Sequence, residues 1–217
     1  DQHLVAWEIN VRRRTLGIVF SLLLVGPLAL ATSPEVRAQA TLDLKQAMSP
    51  RVLGDPAAPV TLIEYFSMTC PHCAAFHTGT LPKIKEKYID TGKVKLEFRE
   101  IPLDQWALRA SAMARCAPAM RYPALVDTLM RQQRKWTRTN DVAGALKKIG
   151  RLAGMGPAYI QQCMENGELL DAILKMRLDA QKEHQVNSTP SFVLNGKTIA
   201  GGLSFGEFDR LLADAGG

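Results

Sequence analysis

The chain has 217 residues, of which 47% are hydrophobic and 22% are charged, as is typical of a globular protein with one substantial core. Its formal net charge is +6. No run of Lys and Arg exceeds three residues, and no aromatic residues alternate with such a run. The charge therefore indicates a solvated basic face and argues against a nucleic-acid-binding surface.

The first forty residues have the pattern of a secretory signal peptide. The basic segment VRRR (residues 11–14) precedes an apolar run at residues 15–31, and Ala38 and Ala40 form a small-x-small cleavage signal. The apolar run is shorter than the ~20 residues that a membrane-spanning helix needs, so cleavage after Ala40 is favoured over a membrane anchor. We therefore expect a secreted mature chain that begins at Thr41 and lies in an oxidising compartment, where disulfides are stable.

The first half of the mature chain predicts a strand, a helix and a second strand. Residues 51–59 are rich in Pro, Gly and Asp and are predicted to form a loop. An apolar strand is predicted at residues 60–66, and Cys70 follows it closely. The proline after Cys70 suits the first position of a helix over residues 71–88. An alternating strand is predicted at about residues 93–101.

The middle of the chain is predicted to be helical. Prolines, glycines and short polar turns divide residues 105–185 into four or five helices. This stretch interrupts the α/β elements and is expected to form an all-helical lobe inserted into them. The predicted parts are a signal region 1–40, a first α/β part 41–104, the helical insertion 105–185 and a second α/β part 186–217.

The C-terminal part returns to strands. Two short strands, at residues 192–194 and 197–199, flank an Asn-Gly dipeptide that is typical of a two-residue hairpin turn. Ser204, with Glu207 three residues later, has the pattern of a capping box at the start of a terminal helix. The two outer parts are therefore predicted to share one mixed central sheet with flanking helices.

Cys70 and Cys73 are two residues apart at the start of a predicted helix, and their sulfurs have three possible uses. A redox role is favoured because unpaired N–H groups and the helix dipole stabilise a thiolate at that position. A structural disulfide is disfavoured because so short a loop constrains little chain. A zinc site with His72 and His77 is disfavoured because structural zinc needs four converging ligands.

The order of elements carries a resemblance to a known fold. The sequence CPHC (residues 70–73) opens the first long helix, and Thr189 and Pro190 stand just before the late hairpin. This arrangement resembles the thioredoxin fold, and the helical insertion makes the chain similar to the DsbA family of secreted thiol-disulfide oxidoreductases. The resemblance covers about residues 43–215. It implies a redox-active disulfide in place of any bound cofactor or metal.

The resemblance also implies roles for the residues of the CPHC sequence. Cys70 is expected to be the attacking thiolate, because it stands at the helix N-terminus. Pro71 and His72 are expected to tune its reactivity, and His72 can add a positive or hydrogen-bonding partner. Cys73, nearly one turn into the helix and less exposed, is expected to resolve the mixed disulfide.

Glu64 lies in the apolar strand before the cysteines. Alternation along the strand alone allows it to face solvent. By resemblance it matches a buried acidic residue beneath the cysteines that takes or gives a proton during exchange. A buried carboxylate needs a partner or a raised pKa, and Arg99 or Lys95 on the neighbouring strand could supply that partner.

Pro190 matches the family's cis-proline, which lies against the active cysteines. A cis bond there would let Thr189 offer its N–H and C=O groups to an extended substrate beside Cys70. Without the resemblance, an ordinary trans proline at the start of an edge strand is favoured. Threonine before this proline also occurs in isomerase-type relatives, so the direction of electron flow stays open.

Cys116 and Cys163 lie in two different predicted helices of the insertion. In a secreted protein a disulfide between them is favoured over two buried free thiols. The pair also resembles the extra disulfide in the helical lobe of some DsbA-like proteins. Such a bond closes a loop of about 47 residues and is worth up to ~4 kcal/mol in the chain-entropy description.

These features predict a monomeric periplasmic enzyme that donates the Cys70–Cys73 disulfide to unfolded secreted proteins. A membrane, quinone-linked partner of the DsbB type is expected to reoxidise it. A disulfide isomerase or reductase of the same fold is the nearest alternative. Such isomerases dimerise through an added N-terminal domain, whereas only about 18 mature residues precede the first predicted strand here. A secreted chaperone or metal-binding protein without turnover is the alternative from another class.

Overall fold

The computed structural model describes residues 41–216. The predicted signal peptide lies outside this range. One sheet is formed by β1 (Arg51–Leu53), β2 (Val60–Phe66), β3 (Val94–Glu100), β4 (Ser191–Leu194) and β5 (Lys197–Ala200). The helices of the described residues are α1 (Leu44–Met48), α2 (residues 71–89), α3 (Gln105–Arg115), α4 (Tyr122–Arg131), α5 (Gln133–Thr137), α6 (Val142–Leu152), α7 (Pro157–Glu165), α8 (Gly167–His184) and α9 (Phe205–Asp214). None of these helices is long and apolar enough to cross a membrane.

The five strands lie in the order β1-β3-β2-β4-β5. Only β2 and β3 are parallel, and the other neighbouring pairs are antiparallel, so the sheet is mixed as predicted. β2 occupies the centre because its sequence, VTLIEYF, is rich in β-branched and aromatic residues that suit a strand covered on both faces. Its last residue, Phe66, leads the chain into the loop that ends at Cys70.

The segment before β2 differs from the prediction of a loop. Arg51–Leu53 pairs antiparallel with β3 at the edge of the sheet. Three residues are too few to show alternation, so pairing with β3 decides their conformation. The preceding helix α1 was also not predicted. It is capped by Asp43, whose carboxylate accepts a hydrogen bond from the backbone N–H of Gln46 at 3.0 Å.

Helix α2 begins at Pro71, as predicted, and continues to residue 89. It alternates between α-helical turns and the wider π-helical segments Phe76–Thr80 and Lys85–Ile89. Both Phe76 and His77, consecutive residues of the first wide segment, are buried. Such π-helical segments are frequent at functional sites, and this one turns a histidine toward the sheet.

The helical lobe has six α-helices, α3 to α8, where four or five were predicted. The missed break is at Gln132, which separates α4 from α5 without a Gly or Pro signal. The predicted disulfide between Cys116 and Cys163 is present and joins the end of α3 to α7. One continuous hydrophobic core runs from Phe98 of the sheet into the lobe at Tyr122 and Leu146.

The C-terminal elements are as predicted, with the strands one residue longer. Asn195 and Gly196 both have positive φ angles, 49° and 76°, as a two-residue hairpin turn requires. The capping box is also confirmed. The Ser204 hydroxyl accepts a hydrogen bond from the backbone N–H of Glu207, and the Glu207 carboxylate accepts one from the backbone N–H of Ser204 at 2.8 Å.

A buried polar network fastens the lobe to the sheet. The carboxylate of Glu100, at the end of β3, accepts hydrogen bonds from the Arg115 guanidinium at 2.6 and 2.9 Å and from the Tyr122 hydroxyl at 2.6 Å. Arg51 donates to the backbone carbonyl of Arg115 at 2.6 Å. All four residues are at most 2% exposed, so each depends on its partners for compensation of burial.

Candidate active site

Cys70 stands at the N-cap of α2, and Cys73 lies within the first turn of that helix. Both are free thiols. Cys70 is 4% exposed and Cys73 is fully buried, which confirms that Cys73 is the less accessible of the two. Two backbone hydrogen bonds fix the position of Cys70. Its N–H donates to the carbonyl of Ser67, and its carbonyl accepts from the N–H of Ala74.

The pKa of the Cys70 thiol is lowered to about 5. The largest cause is a hydrogen bond from the Cys73 thiol, and burial opposes it. The Thr189 side chain and the backbone N–H groups of Cys73 and His72 add to the stabilisation of the Cys70 thiolate. Cys70 is therefore predominantly a thiolate at neutral pH.

The two residues between the cysteines lie at the surface. Pro71 fills the first helical position, where its missing N–H leaves no acceptor without a partner. His72 contributes to the lowered pKa of Cys70 through its backbone N–H, while its side chain is exposed. A role for the His72 imidazole remains a prediction.

The pKa of the Cys73 thiol is raised far above its usual range. Its hydrogen bond to Cys70 is the largest cause, followed by burial and by the negative charge of Glu64. The proton shared between the two sulfurs therefore stays on Cys73. This asymmetry gives one thiolate and one protonated partner at the same helix start.

Thr189 and Pro190 reach this site from the other end of the chain. The peptide bond between them is cis, as the resemblance implied. The Cys70 sulfur lies 3.4 Å from the Thr189 carbonyl oxygen, a contact in which only the protonated thiol can act as a hydrogen-bond donor. This contact arises because Pro190 leads into β4, which pairs antiparallel with β2, the strand that precedes Cys70.

An open groove of about 260 Å³ lies against Thr189. Apolar side chains of Ile101, Leu103 and Val186 line it together with polar groups that include Ser188. The groove therefore offers apolar contact beside a backbone segment, a combination that suits an extended peptide.

Glu64 is fully buried in β2, and its partner is His77. The His77 Nε2 atom lies 3.0 and 3.1 Å from the two carboxylate oxygens of Glu64. The prediction of Arg99 or Lys95 as the partner was wrong. Those residues stand opposite Tyr65 and Thr61 in the register, so their side chains point to the other face of the sheet.

The sequence contained a signal for His77. It shares the apolar face of α2 with Leu81, Ile84 and Tyr88, and a buried polar residue on such a face needs a partner. The rings of Phe66, Phe76 and Phe98 surround His77 with centroid separations of 5.7, 5.7 and 6.1 Å. The Glu64–His77 pair is therefore enclosed by apolar groups. Within residues 41–216, no cluster of His, Cys, Asp and Glu is arranged to hold a metal ion.

Gln133 is a site residue that no sequence pattern indicated. Its side-chain amide donates two hydrogen bonds, to the backbone carbonyls of Met68 and Cys70, both at 2.9 Å. Gln133 is the first residue of α5 and is buried. The helical lobe therefore fixes the loop that carries the nucleophile.

Comparison with known proteins agrees with this geometry. The family model described as Thioredoxin matches residues 46–214. Putative protein-disulfide oxidoreductases of Rickettsia conorii and Rickettsia bellii are 36% and 34% identical over 67% of this chain. The alignments cover 53% and 56% of those relatives, so the chain spans about half the length of the curated relatives it matches.

A solved structure extends the match over most of a relative's length. The crystal structure of Wolbachia pipientis alpha-DsbA1 is 31% identical, with a TM-score of 0.71, and the match covers 77% of this chain and 93% of that one. The thioredoxin fold with an inserted helical lobe is thereby confirmed. The chain belongs to the DsbA-like family of the thioredoxin superfamily.

Proposed function

We propose that this protein is a thiol-disulfide oxidoreductase that exchanges the Cys70–Cys73 dithiol and disulfide with protein substrates. The observation that carries the proposal is the opposite displacement of two pKa values at one helix start. The pKa of Cys70 is about 5, whereas that of Cys73 is raised. A low-pKa thiolate is a good leaving group, and its stability favours the reduced enzyme over its disulfide.

The reaction runs in two exchanges when the enzyme oxidises a substrate. A substrate thiolate attacks the Cys70 sulfur of the Cys70–Cys73 disulfide, and Cys73 leaves and takes up a proton. A second substrate thiolate attacks the substrate sulfur of the mixed disulfide, which forms the substrate disulfide and releases Cys70 as a thiolate. The substrate loses two electrons and the enzyme gains them.

Glu64 is proposed to deliver the proton that Cys73 takes up. Cys73 is fully buried, and a thiolate there would be strongly disfavoured. The proposal is supported by the electrostatic effect of Glu64 on Cys73 and by its bond to His77 at 3.0 Å, which fixes the position of the carboxyl group. His77 takes the place that a strand cation was expected to fill.

Thr189 and Pro190 are proposed to bind the substrate. The Thr189 carbonyl lies within hydrogen-bond distance of the Cys70 sulfur, and the apolar groove begins beside it. An extended substrate segment laid along Thr189 would bring its own sulfur against Cys70. Pairing through the backbone would accept many sequences, as a general folding enzyme requires.

Donation of the disulfide to unfolded secreted proteins in the periplasm is the proposed direction and place. The low pKa of Cys70 supports donation, and the predicted signal peptide supports the place. The protein would act as a monomer without a further cofactor and be reoxidised by a membrane, quinone-linked partner of the DsbB type. An isomerase or reductase would use the same site. The identity of Thr189 is compatible with either direction of electron flow and does not decide between them.

The test is the equilibrium of the Cys70–Cys73 pair against glutathione buffers, with oxidation of a two-cysteine peptide as the activity measurement. A potential well above the roughly −270 mV of thioredoxin, together with peptide oxidation, supports donation. A potential near that value would overturn the direction and favour a reductase. Tight stoichiometric zinc binding without any thiol exchange would overturn the enzyme itself.

A further inference from the structure

A second groove, of about 470 Å³, lies beside the segment that contains Cys70. Thr69 and Pro71, the residues before and after the nucleophile, line it. The opposite wall comes from α5 and the residue that follows it: Gln133, Arg134, Thr137 and Arg138. This groove shares no lining residue with the groove at Thr189.

Two arginines give the groove its charge. Arg134 and Arg138 are four residues apart, so their side chains emerge on the same face. Both are exposed, and neither donates a hydrogen bond or forms an ion pair within residues 41–216. Six other arginines of the described chain do donate hydrogen bonds: Arg51, Arg99, Arg115, Arg121, Arg131 and Arg177.

The position of these arginines relative to Cys70 is fixed by the lobe. Gln133, the residue before Arg134, holds the carbonyls of Met68 and Cys70. One acidic group lies beside the groove: the Asp104 carboxylate accepts a hydrogen bond from the Thr69 hydroxyl at 2.6 Å and from the two backbone N–H groups that open α3. Within residues 41–216 it forms no ion pair with Arg134 or Arg138.

An alternative role for the two arginines is to complement the dipole of the helix near its C-terminus. Lys135, on the same short helix, is exposed and available for that purpose but does not line the groove. The arginines do not account for the low pKa of Cys70, whose causes are Cys73, Thr189 and two backbone N–H groups. Their charge is therefore available to a bound molecule.

We infer that this groove is a carboxylate-recognition subsite, at which Arg134 and Arg138 select polypeptide substrates with an acidic residue close to the reacting cysteine. The inference rests on the proposed function and adds a substrate preference to it. Guanidinium groups suit this task because their planar donors match a carboxylate. Two guanidiniums of like charge also repel each other, so a carboxylate between them relieves that repulsion.

The test uses the oxidised full-length protein and three peptides that differ at one position beside the first of two cysteines, which carries Glu, Gln or Lys. The rate of peptide oxidation is divided by the rate of the same peptide with a small disulfide, to remove the effect of the neighbour on thiol reactivity. We expect the corrected rates to fall in the order Glu, Gln, Lys, with about a fivefold step from Glu to Gln. Raising the salt from about 50 to about 500 mM should shrink that step.

The matched variants locate the effect. Arg134→Gln combined with Arg138→Gln should abolish the order and Arg134→Gln alone should weaken it, while Lys135→Gln, which removes one charge from the same helix as Arg134→Gln does, should keep it. Equal corrected rates for Glu and Gln in the unaltered protein would overturn the inference, as would loss of the order in Lys135→Gln alone.

Two further outcomes are distinguishable from these. Dependence of glutathione exchange on the two arginines, without discrimination among peptides, would assign the groove to a small anionic thiol and overturn the polypeptide assignment. Failure of the unaltered protein to oxidise any peptide would instead overturn the proposed function.

Discussion

The chain contains two pairs of buried cysteines that differ in spacing and in bonding state. Cys70 and Cys73 are two residues apart at a helix start, and hydrogen bonds displace their pKa values in opposite directions. Cys116 and Cys163 are 47 residues apart and form a disulfide that joins two helices of the lobe. Short spacing at a helix N-terminus creates a reactive pair, whereas long spacing between packed helices creates a crosslink.

Two buried glutamates, Glu64 and Glu100, differ in their bonding partners. Glu100 accepts three hydrogen bonds from Arg115 and Tyr122, and the arginine keeps its charge throughout the accessible pH range. Within residues 41–216, Glu64 is bonded instead to the His77 imidazole. The carboxylate of Glu100 is bound to a permanently charged group, whereas that of Glu64 is not.

Replacing the nucleophile gives the largest effect. Cys70→Ser should abolish oxidation of a two-cysteine peptide, because the hydroxyl cannot form the mixed disulfide. When Cys73→Ser is given a one-cysteine peptide as its mixed disulfide with glutathione, the Cys70 thiolate should attack the peptide sulfur and release glutathione. The resulting Cys70–peptide disulfide, which mass spectrometry detects, should accumulate because no Cys73 thiol remains to displace the peptide. A mixed disulfide at Cys73 in the Cys70→Ser protein would contradict the assignment of the two sulfurs.

Removing the guanidinium that is bound to Glu100 should give the next largest effect, a loss of stability. Arg115→Ala leaves the Glu100 carboxylate buried without its ion pair and should lower the free energy of unfolding by about 3–5 kcal/mol. Urea unfolding measures the change. Arg131→Ala is the matched control, since its exposed ion pair with Asp127 should contribute at most about 0.5 kcal/mol. Equal effects of the two changes would show that the network around Glu100 is not the fastening of the lobe.

Opening the second disulfide should separate stability from activity. Cys116→Ala with Cys163→Ala should lower the free energy of unfolding by up to ~4 kcal/mol, because the loop of 47 residues is no longer closed in the unfolded chain. The folded double variant should still oxidise the peptide, since neither residue contacts Cys70 or Cys73 by hydrogen bond. Loss of exchange in the folded variant would instead tie the lobe disulfide to the reaction.

Much of the fold around the two cysteine pairs could be predicted from the sequence because it depends on local sequence patterns. A seven-residue strand rich in apolar and β-branched residues, a proline after Cys70 and an Asn-Gly turn each act over a few residues. The pairing of Cys116 with Cys163 followed from the even cysteine count, the predicted oxidising compartment and the likeness to relatives.

What could not be predicted depends on contacts between distant segments. β1 becomes a strand only through its pairing with β3. The partner of Glu64 depends on which face of the sheet its side chain occupies, a matter of register that the apolar sequence of β2 does not reveal. Gln133 acts through two backbone carbonyls more than sixty residues away, and such a bond has no sequence pattern.

The pH dependence of the reduced protein sharpens the contrast between the two sulfurs of the reactive pair. The rate of alkylation of Cys70 should rise with a midpoint near pH 5, the pKa of its thiol. Cys73→Ala should move the midpoint upward because it removes the largest cause of the lowered pKa, whereas Cys73→Ser keeps a donor and should move it less. A midpoint above pH 8 in the unaltered protein would contradict the stabilised thiolate.

The same thiolate links stability to pH with a definite sign. Because the pKa of Cys70 is lower in the folded than in the unfolded protein, its contribution to the stability of the reduced form is complete above about pH 8.5 and is lost as the pH falls through 5. The difference in free energy of unfolding between the reduced protein and its Cys70→Ser variant should therefore shrink over that window.

Glu64→Gln should leave the alkylation midpoint unchanged, since Glu64 acts on Cys73, yet slow peptide oxidation by about tenfold. One substitution would then distinguish the two functions, because Glu64→Gln would affect proton delivery to Cys73 and leave the thiolate of Cys70 unchanged.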